Sequence, residues 1–287
     1  IDLPDGDFVD LVWSRANLPQ DAPVIIILHG LGGCVNSSYV GRFMRAFNDN
    51  GWRAALMHFR GAGSEPNRLP RAYHSGDTAD LDYVINFLSD REPNTQKAIV
   101  GVSLGGNVLL KWLGEQKQQS KIQAAVGVSV PFQINKVANK MNEGFSRVYQ
   151  AYLLSQFKLV FAKKLQQFAQ PPEPLKKAAQ CQCFWTFDSQ VTAPLNGFTS
   201  VHSYYRECSS RQYLPDIRTN TLLIHAQDDP FMTPDIVPRD EELSEHITLE
   251  LSLKGGHVGF VAGTHPGKPI YWLDQRIPEY FHQQFQR

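Results

Sequence analysis

The sequence predicts an α/β fold: a mostly parallel central sheet flanked by helices, with a helical cap inserted before a late strand. Three observations carry this. Short β-branched runs alternate with helical patterns, a long interruption separates two such regions, and one strand-like run ends in a glycine-framed serine. The chain has 287 residues, 42% hydrophobic and 20% charged, enough to bury a large core.

Residues 7–13 alternate like a half-exposed strand. Runs at 23–28, 54–59, 98–102 and 124–130 have the apolar, β-branched character of buried parallel strands. Helical patterns fall between them, as at 39–48 and 78–88. Strand–helix–strand repetition implies right-handed crossovers and a parallel sheet. The alternation then stops over 131–218, too long for a structureless loop in a compact domain. Leu154, Phe157, Phe161, Leu165 and Phe168 recur there at helical spacing until Pro171, Pro172 and Pro174 break the pattern. The pattern resumes with a strand at 219–226, a helix near 233–243, a strand at 247–252 and a C-terminal helix near 271–286. The expected organisation is a core of 1–130 and 219–287 with a mainly helical cap of 131–218 set over the sheet's carboxyl edge.

Formal net charge is zero, which gives no argument for nucleic-acid binding. No apolar stretch reaches the length of a membrane span. Cys34, Cys181, Cys183 and Cys208 show no C-x-x-C spacing and read as free thiols in a reducing compartment, so a cytoplasmic location is expected. The chain starts at Ile1 with no signal-peptide pattern.

The run Ala98-Ile99-Val100-Gly101-Val102-Ser103-Leu104-Gly105-Gly106 holds the G-x-S-x-G pattern of a nucleophile elbow. The small residues at 101 and 105 let the turning backbones pass closely. A serine hydroxyl is a weak nucleophile and needs a positioned base, which in turn needs an orienting acid. The acid should follow a late strand, where Asp228-Asp229-Pro230-Phe231 supplies two candidates. Asp229 is favoured and Asp228 is the alternative. The base should follow the last strand. His257, in Gly255-Gly256-His257, sits in a glycine-rich loop able to reach over the sheet edge, and His265 is a substitute. His225 lies within a strand and reads as a core histidine. Ser103, Asp229 and His257 thus occur in the order this chemistry requires.

After the early strand, His29-Gly30-Leu31-Gly32-Gly33 forms a turn suited to aim a backbone N–H at a developing oxyanion. The expected donors are the amides of Leu31 and Leu104, with His29 a structural brace. The turn lacks the ending of a P-loop and the spacing of a dinucleotide site. Tyr73-His74-Ser75-Gly76-Asp77 reads as a turn capping the next helix.

These motifs, with Pro4-Asp5-Gly6-Asp7-Phe8, Phe59-Arg60-Gly61, Asn67-Arg68, Phe187-Asp188, Thr192-Ala193-Pro194, Gly197-Phe198 and Tyr204-Tyr205, make the chain resemble the α/β-hydrolase superfamily, and within it the YheT-like or AB-hydrolase-4 branch. The resemblance spans nearly the whole chain. It implies a carboxylic-ester hydrolase acting on short or medium acyl chains, with lipid-directed relatives, and carries Ser103, Asp229 and His257 over as the charge-relay residues. No metal or cofactor is implied. The family pattern starts somewhat upstream of Ile1, so a preceding segment is expected. A phospholipase, thioesterase or acyltransferase on the same triad, or a binding protein that retains it, are the other readings. Epoxide hydrolases and dehalogenases of this fold use Asp where this chain has Ser103. Residues 131–180 hold eight basic residues against two acidic ones. This reads first as an ordinary solvated helix face; the sharper expectation is a cap that approaches anionic lipid headgroups or acidic substrates, its apolar stripe lining an acyl pocket.

Overall fold

The computed structural model describes residues 1–263 and 267–286. Seven strands form the main sheet: β1 (Asp10–Trp13), β2 (Val24–Leu28), β3 (Arg53–His58), β4 (Lys97–Val102), β5 (Ala124–Val128), β6 (Asn220–Ala226) and β7 (Ile247–Ser252). Their order is β1-β3-β2-β4-β5-β6-β7, with β1 antiparallel and every other pairing parallel.

β2, β4 and β5 are buried along their whole length. Alternate residues feed two separate layers. Ile26 and Leu28 pack toward α2 (Thr78–Arg91) and α3 (Leu104–Gln116), through Leu81, Ile85 and Val108. Ile25 and Ile27 pack toward α1 (Ser38–Asp49) and the C-terminal helix at Leu273–Phe285, through Phe43, Phe47 and Phe281. A strand covered on both faces cannot alternate apolar with polar, which is why these runs are continuously apolar.

Between β5 and β6 lie α4 (Ile134–Lys140), α5 (Ser146–Leu165), α6 (Glu173–Lys177), α7 (Phe184–Phe187), α8 (Ala193–Leu195) and α9 (Val201–Cys208); the C-terminal helix is α10. One π turn, Asp188–Thr192, joins α7 to α8. A two-stranded ribbon, β8 (Val261–Ala262) with β9 (Ile270–Tyr271), precedes α10.

Two sequence expectations need correction. The helix expected near 233–243 is two short 3₁₀ turns, Pro234–Ile236 and Asp240–Glu242. Pro238 between them lacks an N–H and forces its predecessor away from helical geometry. The apolar stripe of α5 does not line a pocket as a whole. Leu154 and Phe161 are buried in the core layer that holds α2 and α3, and of the five stripe residues Phe157 alone lines the cavity.

Near the N-terminus, Arg60 is buried among carboxylates. Its Nε and Nη2 donate to both oxygens of Asp80 at 3.0 and 2.6 Å, and Nη1 donates to Asp5 at 2.7 Å and Asp7 at 3.0 Å. Burial alone would raise the Asp7 carboxyl; hydrogen bonds from Asn67 and the amides of Arg68, Leu69 and Phe8 outweigh it and hold the carboxyl below its ordinary range. Lys164 of α5 is fully buried beside this cluster and donates to Asn67, with its ammonium pushed down to about 8 by burial. The Asp5-Gly6-Asp7 and Arg60 motifs are therefore the parts of one buried ion network. Asp77 precedes α2, but its side chain pairs with Arg71 at 3.1 Å and makes no cap hydrogen bond.

Candidate active site

β4 ends directly at Ser103, whose φ of 52° lies in the left-handed region that costs a non-glycine residue about 1–3 kcal/mol. A side chain at Gly101 would meet the Gly105 carbonyl at 2.6 Å, and one at Gly105 would meet the Leu28 carbonyl at 2.5 Å. Only glycine permits this crossing, so the turn projects Ser103 from the carboxyl edge of the sheet.

Three loops converge there. His257 follows β7, and its Nε2 lies 2.9 Å from Ser103 Oγ. Its Nδ1 lies 2.7 Å from Asp229 Oδ2, just beyond β6. The other Asp229 oxygen accepts the Phe231 amide at 2.9 Å, which fixes the carboxylate plane. Asp228 points elsewhere: Oδ1 accepts the amides of Gly255 at 2.9 Å and Gly256 at 2.8 Å. Those bonds hold its carboxyl below the ordinary range. The two neighbouring aspartates therefore divide the work, Asp229 on the imidazole and Asp228 on the loop that carries it. His265 lies outside the described residues. His225 is buried in β6, with its imidazole lowered by burial.

The turn after β2 is held from both sides. The Gly30 amide donates to Tyr39 Oη and the Gly32 amide to Tyr73 Oη, each at 2.9 Å. The Leu31 amide between them, and the Leu104 amide at the start of α3, have no partner among the described residues. His29 braces this turn. Its Nε2 accepts the Phe59 amide at 3.2 Å, so Nδ1 carries the proton and donates to Gly30 O at 2.8 Å. Both nitrogens are used in the neutral form, and burial pushes the imidazole down to about 4.

A cavity of about 720 Å³ opens over Ser103 and His257. Its far walls come from 131–218 and are largely apolar, including Ile134, Val137, Met141, Phe157 and Phe184. Two polar residues in this lining were not singled out as site residues from sequence. His74, read there as part of a turn, faces the cavity between Phe198 and Tyr204. Asp188, on the π turn, accepts Thr192 Oγ1 at 2.7 Å and Tyr205 Oη at 2.8 Å, and burial pushes its carboxyl up to about 6. The only sequence signal for Asp188 was its membership of the Phe187-Asp188 motif. All four cysteines are free. Among the described residues no helix is long and apolar enough to cross a membrane, and no cluster of three or more His, Cys, Asp and Glu is placed to hold a metal ion.

Residues 23–264 match the profile of the alpha/beta hydrolase fold family. The chain belongs to this family. The hydrolase is 40% identical over 284 residues to the Escherichia coli protein named "Putative esterase YheT", covering 98% of this chain and 83% of that one, which places it in the YheT-like branch. It is 32% identical over 257 residues to the protein named Monoacylglycerol lipase of Saccharomyces cerevisiae, with 86% of this chain aligned to 56% of that one. In fold it is similar to the Pyrococcus furiosus esterase Pf2001, with a TM-score of 0.63, 17% identity, and coverage of 98% and 88% of the two chains. The hydrolase is of the carboxylesterase type.

Proposed function

We propose that the protein is a serine carboxylic-ester hydrolase acting on short- to medium-chain acyl esters through a Ser103–His257–Asp229 triad and an acyl-enzyme. The unbroken hydrogen-bond line from Asp229 through His257 to Ser103 Oγ at the cavity floor carries this reading. Ser103 Oγ attacks the ester carbonyl while His257 Nε2 takes its proton. Asp229 orients the imidazole and stabilises its charged form. The amides of Leu31 and Leu104 receive the oxyanion, and since neither has another partner among the described residues they need no rearrangement to do so. His257 returns the proton to the leaving alcohol; water, activated by the same imidazole, then releases the acid. No metal or cofactor enters these steps. Residues 131–218 act as the cap that shapes the acyl pocket, and the four free thiols support a cytoplasmic setting.

A second reading, hydrolysis of lipid esters, is favoured by the apolar cap walls and by the relative named Monoacylglycerol lipase. It includes peripheral contact of the cap with anionic lipid. The test is a chain-length series of soluble esters and glyceryl esters, run on wild type and Ser103→Ala. Turnover of the preferred ester should fall by a factor on the order of 10⁴ or more in the variant. Undiminished hydrolysis by Ser103→Ala would sink the assignment. A fluorophosphonate probe separates an active serine from a retained but unused triad, because only an activated hydroxyl labels efficiently.

A further inference from the structure

Helix α5 carries apolar residues on two opposite faces. Leu154, Phe157 and Phe161 form the face turned into the core. Phe145, immediately before the helix, and Val148, Tyr149, Tyr152 and Leu159 recur at offsets of three, four, seven and fourteen. At 3.6 residues per turn these fall within an arc of about 100° on the other side. All five are exposed: Phe145 by 71%, Tyr152 by 62%, Val148 and Leu159 by 59%, Tyr149 by 43%. Single apolar residues on a surface are ordinary, whereas a contiguous stripe marks an interaction site.

The stripe meets the cavity mouth. Tyr149 and Tyr152 are both exposed and cavity-lining. Ring contacts run from Phe145 to Tyr149 at 5.7 Å, on to Phe231 at 4.9 Å, and on to His257 at 4.6 Å. The helix contains no acidic residue, and Arg147, Lys158 and Lys163 make no ion pair among the described residues.

We propose that this outer face of α5 seats the enzyme on an anionic lipid bilayer, holding the cavity mouth against the surface from which a lipid ester enters. An apolar face on a net-positive helix is the composition of a helix lying in a bilayer interface. With no acidic residue the helix is positive as a whole, and Lys163, eighteen residues after Phe145, falls within the stripe's own arc, where it would meet lipid phosphates. A second copy docking through the same face would oppose Lys163 with its own, a like-charge contact. The docking rests on the ester-hydrolase reading of Ser103 for its purpose, but its test does not depend on turnover.

The test is co-sedimentation with vesicles of phosphatidylcholine alone and of phosphatidylcholine mixed with phosphatidylglycerol. Wild type and Ser103→Ala should both partition at least tenfold more strongly onto the anionic vesicles. The variant Phe145→Ser/Val148→Ser/Leu159→Ser should lose at least tenfold of that binding while hydrolysing a soluble short-chain ester at the wild-type rate, since none of the three lines the cavity. Its soluble activity also reports that it folds. Lys163→Gln should weaken binding to anionic vesicles and leave the residual binding to phosphatidylcholine alone unchanged. The docking is overturned if wild type does not bind anionic vesicles, or if the triple variant binds them as wild type does. It is equally overturned if wild type sediments as a dimer that the triple variant dissociates, with no vesicle binding, which would assign the face to a second copy. Loss of turnover in all proteins with vesicle binding intact would remove the ester reading and keep the surface.

Discussion

Two polar constellations are buried in this molecule, and they are built on opposite plans. Around Arg60 every strong group is answered: one guanidinium meets Asp5, Asp7 and Asp80, and Asn67 and Lys164 fill the remaining positions. Around Ser103 the chain of hydrogen bonds ends on a hydroxyl facing a cavity, beside two amides with no partner among the described residues. The closed network ties the N-terminal segment, the loop before α2 and the cap helix into one body. The open one leaves unsatisfied capacity where charge would develop during ester cleavage. A polar cluster stabilises when it is complete and reacts when one position is left for the substrate.

Substitutions in the two clusters should therefore separate rate from stability. Asp229→Asn should lower kcat by about 10³–10⁴ through the wrong imidazole tautomer, with the melting temperature nearly unchanged. A loss of stability large enough to explain the rate would erase the contrast. Arg60→Met should do the reverse. It leaves Asp7 buried without its paired guanidinium and Asp80 with only the longer Arg71 contact at 3.6 Å, and urea unfolding should show a loss of about 3–5 kcal/mol. Retained stability in that variant would mean that the network is dispensable.

Asp188 lies between the two plans, a cavity carboxyl whose side-chain partners among the described residues are the neutral hydroxyls of Thr192 and Tyr205. Its folded pKa of about 6 stands above the ordinary value, so the folded state holds this proton more tightly. The stabilising proton is fully present below about pH 4 and is lost as pH rises through 6. Asp188→Asn should remove that decline. Its stability relative to wild type should rise between pH 4.5 and 7 by up to about 3 kcal/mol, read by unfolding at the two pH values. A pH-independent difference would show that Asp188 is not the titrating group. The smallest effect is expected at Asp228→Asn, which keeps an oxygen for the Gly255 and Gly256 amides. Its kcat should stay within about tenfold of wild type, and a loss matching that of Asp229→Asn would reopen the choice between the two acids.

Much of this was legible in the sequence because it is local or ordered along the chain. Buried parallel strands announce themselves as unbroken apolar runs, and Gly101 is demanded by a backbone crossing at Gly105 within five residues, whereas Gly105 itself is held glycine by the distant Leu28 and His29 carbonyls. Asp229 was favoured over Asp228 from its place in the turn, but the hold of Asp228 on the Gly255 and Gly256 amides was not legible, because it depends on how the loop after β7 folds back on it. Nor was the helix lost at Pro238 read correctly, although the proline was in view. For α5, periodicity located one apolar face, and it was the face spent on the core. The second stripe shares the same spacing rule, and only packing distinguishes a covered face from a bare one. Lys164 and Asn67 meet across 97 positions, a distance no spacing argument spans.

The cap is also stitched to the acid loop. Ser146 at the start of α5 donates to the Pro230 carbonyl at 2.7 Å, one residue from Asp229, and Tyr149 packs on Phe231. A cap transplanted from a relative would bring new pocket walls and, unless it restored both contacts, a relaxed acid loop with them. On the proposed reading, in which residues 131–218 shape the acyl pocket, recombination there would exchange substrate choice and catalytic rate together.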